Sequence, residues 1–233
     1  MKKPFSIVLL SVLCVTMGLG GASAENTAPE ANKGYEVTDK NLIEFTNDNT
    51  GYFFAKISNT GSKNLDVGTG KLVGFSEDDE IIVSESYVST YPGDITLEPG
   101  EYAYYYEFLW EDALEESNVA DYKFSVEEGR YGDEVDIVPC EAEFDIEDDY
   151  DSYIYATFKN ETQETLWGAY VVTALYDKEG NLVFVDSNSY DSLGIHPDST
   201  VTLRISIGSS FVEYYKEKNI EIDSVDALIY VKK

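Results

Sequence analysis

Basic residues, histidine, cysteine and proline are all scarce in this 233-residue chain, and each shortage removes a class of function. There are 16 Lys and Arg against 45 Asp and Glu, a formal net charge of −29. Nucleic acid and anionic lipid surfaces are bound by replacing their counterions with Lys and Arg, so neither is an expected partner. Cationic partners are favoured instead. One His and two Cys leave a structural zinc site without ligands. The single His196 stands beside Pro197 in a turn-like stretch, and no serine or cysteine nucleophile can be paired with it as a base. There is no Gly-x-Ser-x-Gly elbow, and Gly68 to Gly74 misses the spacing of a dinucleotide or phosphate loop. No cofactor is expected, and the chain reads as no enzyme. An acidic hydrolase with a carboxylate pair stays open only because 45 acids guarantee some pair at any separation.

Long apolar runs are also missing, except at the start. Lys2 and Lys3 precede an apolar run from Phe5 to Leu19, and small residues follow up to Ala22-Ser23-Ala24. That three-part pattern predicts a secretory signal peptide over residues 1–24, cleaved after Ala24. The competing reading, a lipoprotein anchored at Cys14, is disfavoured by Leu13 before the cysteine and by the apolar run continuing beyond it. Cleavage after Ala24 takes the 16 basic residues to 14 and the charge to −31, and leaves Cys140 as the only cysteine. The expected product is secreted or held at the cell surface, with no membrane span. Residues 25–40, opening "ENTAPEANK", are predicted to form a flexible acidic leader.

What is abundant is aromatic: 19 Tyr and 11 Phe supply enough apolar surface to offset ordering entropy despite the charge. They sit in a repeat. "YFFAKISNTGSKNL" from Tyr52 lies over "YIYATFKNETQETL" from Tyr153 at one offset, matching Ala55 to Ala156, Asn59 to Asn160 and Leu65 to Leu166. The offset persists through Phe75 and Tyr176, and after a short insertion Pro99 aligns with Pro197. A unit of about a hundred residues is too long for a solenoid repeat, so tandem domains are expected.

Each copy alternates short β-branched and aromatic runs with Asn, Gly, Asp and Pro clusters, the pattern of strands and turns. Val201, Leu203 and Ile205 alternate with Thr202, Arg204 and Ser206, as in a strand with one face on a core. Only Phe211 to Lys218, with its equivalent around Trp110 to Ser117, reads as helix. The predicted fold is all-β: two tandem immunoglobulin-like β-sandwich domains, 41–131 and 135–233, each with a short helical crossover before its last strand. The boundary is placed near Arg130 to Glu134, among glycines and charges.

The second copy, with "KNETQETLWGAYVVTALYDKEGNLVF" and then "IHPDSTVTLRI", resembles the FxLYD domain family. Leu175, Tyr176 and Asp177 match its signature, while Thr173 stands where the family name has Phe. The resemblance covers about Asp151 to Ile207 and is weaker in the first copy, where Val73-Gly74-Phe75-Ser76 replaces the signature. It implies a small β-sandwich on secreted or envelope-attached bacterial proteins, with no catalytic residues to carry over.

Three stretches are candidates for binding. "DKEGN", Asp177 to Asn181, has oxygen ligands but the wrong spacing for a calcium loop, and is expected to be a hairpin turn with Gly180 and Asn181 at positive φ. Asp145, Glu147, Asp149 and Asp151 would share a face if they lay on one strand, making them weak metal candidates beside the plainer reading of a solvated acidic edge. In "YAYYYEFLW", the alignment through Pro99 puts Ala103, Tyr105 and Leu109 on the core face and Tyr102, Tyr104, Tyr106 and Phe108 outward. Tyr52 and Phe54 point outward from a neighbouring strand. These six aromatics are the candidate ligand-binding face, for a carbohydrate, a peptide, a cationic protein or the other domain, beside the plainer reading of cross-strand tyrosines that only stabilise an exposed sheet. Glu107 would fall on the core face in this register, which hints at a bulge.

Overall fold

The computed structural model describes residues 34–45, 49–110, 114, 118–147, 152–190 and 192–232. The aromatic and β-branched runs form strands almost throughout, so the protein is all-β, with one helix among the described elements. In the first half, β1 (Tyr35–Phe45), β2 (Thr50–Asn59) and β6 (Tyr102–Trp110) make one antiparallel sheet. β4 (Ile81–Thr90), β3 (Leu65–Phe75) and β7 (Asp121–Glu128) make the facing layer, with the two-residue β5 (Thr96–Leu97) at its margin. A two-residue pairing, Ser89 with Tyr106 and Thr90 with Tyr105, joins the layers at one edge.

The second half repeats this order. β9 (Glu141–Asp145), β10 (Tyr153–Lys159) and β13 (Thr200–Ser206) form one sheet. β12 (Leu182–Tyr190), β11 (Ala169–Asp177), β14 (Ile222–Lys232) and β8 (Val135–Pro139) form the other. Two antiparallel layers around one buried core fit an immunoglobulin-like sandwich. The helix α1 (Ser209–Lys218) precedes β14, where the sequence places it. Its counterpart near Trp110 to Ser117 begins with the last residue of β6, and positions 111–113 and 115–117 lie outside the described residues.

The repeat reaches the level of single hydrogen bonds. Asn59 is 2% exposed, and its amide nitrogen donates to the Lys63 and Leu97 carbonyls at 2.9 and 2.8 Å. Asn160, fully buried, donates to the Glu164 and Ile195 carbonyls at 2.8 Å each. Each side-chain oxygen accepts the backbone N–H two residues on, from Gly61 or Thr162. A buried amide that ties two loop carbonyls together satisfies groups that would otherwise be desolvated and unpaired.

The hairpin turns correspond as well. Asp177 Oδ1 accepts from the Glu179 and Asn181 N–H groups, as Ser76 Oγ does from Asp78 and Glu80. Gly180 takes φ 83°, and Asp79, at its place in the first copy, takes φ 62°. Asn181 departs from the expectation: it stays out of the left-handed region and donates its side-chain amide to Asp177 Oδ2 at 2.8 Å. Both Asp177 oxygens are therefore spent on the turn itself.

Two further points differ from the sequence reading. β1 begins at Tyr35, paired with Asn59, so residues 35–40 belong to the sheet and not to a leader. The segment between β7 and β8 is tied to the first half: Asp133 N–H donates to the Asp94 carbonyl at 2.9 Å, and Gly132 packs where any Cβ would strike the Ile95 backbone at 2.3 Å. Among the described residues no helix is long and apolar enough to cross a membrane.

Candidate functional site: the aromatic face and its cover

Strands β2 and β6 pair without a shift, matching Tyr52 to Phe108, Phe54 to Tyr106, Lys56 to Tyr104 and Ser58 to Tyr102. Period-two alternation then puts Tyr52, Phe54, Tyr102, Tyr104, Tyr106, Phe108 and Trp110 on one face. On the other face Phe53 and Tyr105 meet Phe124 of β7 at 4.6 and 5.2 Å between ring centroids, inside the first sandwich. Glu107 is opposite Phe53 in the same register, so the bulge it hinted at is not there. Its carboxyl is half-buried beside Glu85, and burial first, then that neighbour, pushes it up to about 7.

The six-residue aromatic face is not an open surface. Phe54 and Tyr104 are completely buried, Tyr52, Tyr102 and Tyr106 are partly covered, and Phe108 is 38% exposed. The cover is the second half of the chain. Phe211, on the first turn of α1, sits with its ring centroid 5.1 Å from Phe45, 4.8 Å from Tyr52 and 4.9 Å from Phe184 of β12. At the other end Tyr104 and Tyr102 both donate their hydroxyls to Asp226 Oδ2 of β14, at 2.6 and 2.8 Å. Since the Tyr104 proton is committed to Asp226, Tyr176 supplies the one in the 3.0 Å contact between the Tyr104 and Tyr176 hydroxyls. Burial, then the negative partners, raises the Tyr102 and Tyr104 hydroxyls well above the usual phenol range, so both remain donors. Lys56 caps this end, with Nζ 4.0 Å from the Tyr102 ring centroid. Asn41 of β1 adds a 2.7 Å bond to the Leu182 carbonyl.

In the triplet Leu175-Tyr176-Asp177, Tyr176 reaches across to Tyr104 and Asp177 caps the turn, so the triplet serves the joint and the hairpin.

One end of the face is less enclosed. The ring contacts run from Tyr91 to Tyr106 at 5.5 Å, Tyr106 to Tyr52 at 5.6 Å, Tyr52 to Phe108 at 5.1 Å and Phe108 to Trp110 at 6.2 Å. Tyr91 is 38% and Trp110 72% exposed. Burial, then neighbouring groups that include Asp186 of β12, raises the Tyr52, Tyr91 and Tyr106 hydroxyls, and burial pushes the Asp186 carboxyl itself up to about 6 against a hydrogen bond from Ser187 N–H. The sequence marked Tyr52, Tyr106 and Phe108 here but not Tyr91 or Asp186. No periodicity within "STYPGD" or "FVDSNS" points at a strand nearly a hundred residues away.

The remaining candidates are placed plainly. Asp145 is the last residue of β9 and Glu147 lies beyond it, so the shared strand face does not form; both are exposed. Asp149 and Asp151 lie outside the described residues. No group of three metal-ligating side chains occurs among the described residues. His196 Nδ1 shares a 3.0 Å contact with the Thr165 hydroxyl at the surface. A cavity of about 560 Å³ between the second-half sheets is lined by Val138, Cys140, Phe158, Leu166 and Val231, and two others of about 870 and 670 Å³ lie beside α1 and beneath the Asn59 loop. Glu107 and Glu85 line none of these three.

No family model matches the chain, and no curated protein matches it. Among solved structures, red sea bream transglutaminase is similar over 83% of this chain at 8% identity with a TM-score of 0.26, and the chain spans 29% of that protein's length. A likeness at that level carries no argument about what this chain does.

Proposed function

We propose that this chain is a non-catalytic secreted or cell-surface module in which two FxLYD-like sandwich halves are locked into one stiff spacer that presents a small binding surface. The observation that carries this reading is the closure of the aromatic face by Phe211 and Asp226. Side chains that would serve a ligand on an isolated sandwich are used to hold one half against the other. The N-terminal signal pattern and the acidic surface support an extracellular setting, with export through cleavage after Ala24 and a lipid on Cys14 as the alternative. A stiff spacer should resist proteases between its halves. Limited trypsin and Glu-C digestion of the mature protein is expected to leave residues 129–134 uncut while the ends are trimmed; early cleavage there, giving two stable halves, would overturn the spacer reading.

A hydrolase is the second reading, and Glu107 is the observation in its favour, because a carboxyl held near 7 beside a second carboxylate is what a general acid needs. It lacks an enclosing cavity among the three described. Glycan hydrolysis by the mature protein that vanishes in Glu107→Gln would establish it.

A further inference from the structure

The two halves differ at one edge of the sandwich, and the difference leaves a cavity. In the first half β1 runs the whole length of β2, pairing Val37 with Ile57 and Tyr35 with Asn59. Both side chains pack against the core, and the Tyr35 hydroxyl donates to the Val126 carbonyl of β7 at 3.3 Å. In the second half residues 135–139 are spent on β14 as β8. The chain then crosses at Cys140, whose N–H donates to the Ala227 carbonyl at 3.1 Å, and meets β10 only where Glu141 faces Thr157. Phe158 and Asn160 are the counterparts of Ile57 and Asn59, and among the described residues no strand stands beside them where β1 stands in the first half. The cavity of about 560 Å³ lies at this gap, lined by Phe158, by Leu166 as the counterpart of Leu65, and by Val231 of β14, the strand that pairs with β11 as β7 does with β3.

We propose that this cavity binds a small aromatic compound carrying an ammonium group. The first half shows what fits such a gap, because there the chain fills it with its own phenol ring, that of Tyr35, beside Val37. The second half keeps the apolar walls, from Val138, Phe158, Leu166 and Val231, without that ring. A space of this volume, mostly apolar with a few polar groups at its margin, is the usual form of a small-molecule site. The margin selects the charge. Asp136, Glu141 and Glu161 stand on it, all exposed, against one lysine, Lys159, which Glu161 holds at 3.3 Å. A ring can therefore be buried while its ammonium group stays at the mouth beside carboxylates, whereas a carboxylate or phosphate in that place would be repelled. The site lies within the second half and goes beyond the spacer reading, so it can fail while the joint stands.

The test titrates the mature protein with phenethylammonium chloride and follows methyl NMR shifts, with phenethyl alcohol and sodium hydrocinnamate as the neutral and anionic analogues at matched ionic strength. Saturable shifts at Val138, Leu166 and Val231 are expected with the ammonium compound, with Leu65 in the first half unmoved. The alcohol should bind more weakly and the anion most weakly. Replacing both Asp136→Asn and Glu141→Gln should weaken the ammonium compound by about two- to tenfold, the range for two exposed charge contacts, and leave the alcohol unchanged. These two side chains are at the surface, so that variant is expected to fold. Val138→Phe puts a ring into the cavity and should abolish the shifts at Leu166 and Val231 for all three compounds, with its thermal midpoint as the check on folding. The proposal is overturned by the absence of saturable shifts with phenethylammonium, by an alcohol or anion that binds as tightly, or by binding unchanged when both carboxylates are removed.

Discussion

Replacing Phe211 with alanine is expected to cost about 3–5 kcal/mol of folding free energy, the range for deleting a buried phenylalanine. Phe211 is 6% exposed and meets Phe45 and Phe184 edge-on, at 89° and 82° between ring planes. Such pairs are worth roughly 0.5–1.5 kcal/mol each beyond the area they bury. The void would open beside Tyr52, which is only partly covered, so water can enter and hold the loss toward the lower end. At about 2–4 °C per kcal/mol for a chain of this size, the thermal midpoint should fall by roughly 6–20 °C. The location of the void makes a sharper prediction. Trp110 is in the first half and Trp167 in the second, both exposed, so Trp167→Phe and Trp110→Phe backgrounds report each half separately in urea. The two transitions should coincide with Phe211 present and separate in Phe211→Ala. Phe211→Leu, which keeps most of the volume, should cost about 1–2 kcal/mol and leave them nearly coincident. A loss below about 1 kcal/mol with transitions still coincident would refute the assignment of Phe211 as the fastening between halves.

Asn160→Ala and Asn59→Ala should each cost about 1–3 kcal/mol by unpairing buried loop carbonyls, measurable by urea denaturation; a neutral result for either would show the matched amides to be incidental. The pH dependence follows from Asp186 and Glu107, whose carboxyls are raised to about 6 and about 7. A raised carboxyl binds its proton more tightly in the folded chain than in the unfolded one, so this stability is fully present below about pH 4 and is lost as pH rises through 6 to 7. For Asp186, moving from an ordinary 3.8 to about 6 corresponds to at most about 3 kcal/mol. Glu107 contributes less, because its exposed half is screened by water. Thermal midpoints should therefore be higher at pH 5.5 than at pH 7.5, with a smaller difference in Asp186→Asn; an unchanged difference would put the effect elsewhere. The Cys140 thiol, pushed up to about 12 by burial and then by Asp226, should react with a thiol reagent at pH 8 far more slowly than in urea.

The sequence was most informative where structure follows from spacing. Period-two alternation assigned both faces of β6 correctly, down to Glu107 on the inner side. The matched Asn59 and Asn160 identified the repeat because the same buried amide is needed at the same loop in each copy. Spacing does not tell what lies on an outward face. Tyr104 looks like a surface tyrosine until Asp226, 122 positions along the chain, comes to accept its hydroxyl. The contact of Tyr91 with Tyr106 was invisible too, since it is made by the pairing of the end of β4 with β6. The start of β1 was misjudged because "KGYEVTDK" is polar enough to read as leader, yet its backbone pairs with β2 regardless of what its side chains bury.

Phe211 and Asp226 make the aromatic face an internal joint between the two halves. Ser62 and Gln163 are equivalent exposed loop positions in the two copies, and Cys140, partly buried in the lining of a cavity, is replaced by alanine so that it takes no label. A spin-label distance distribution between Ser62→Cys and Gln163→Cys is predicted to be single and narrow, and to broaden when Phe211→Ala is added. A broad or multi-peaked distribution in the protein with Phe211 intact would contradict a fixed joint.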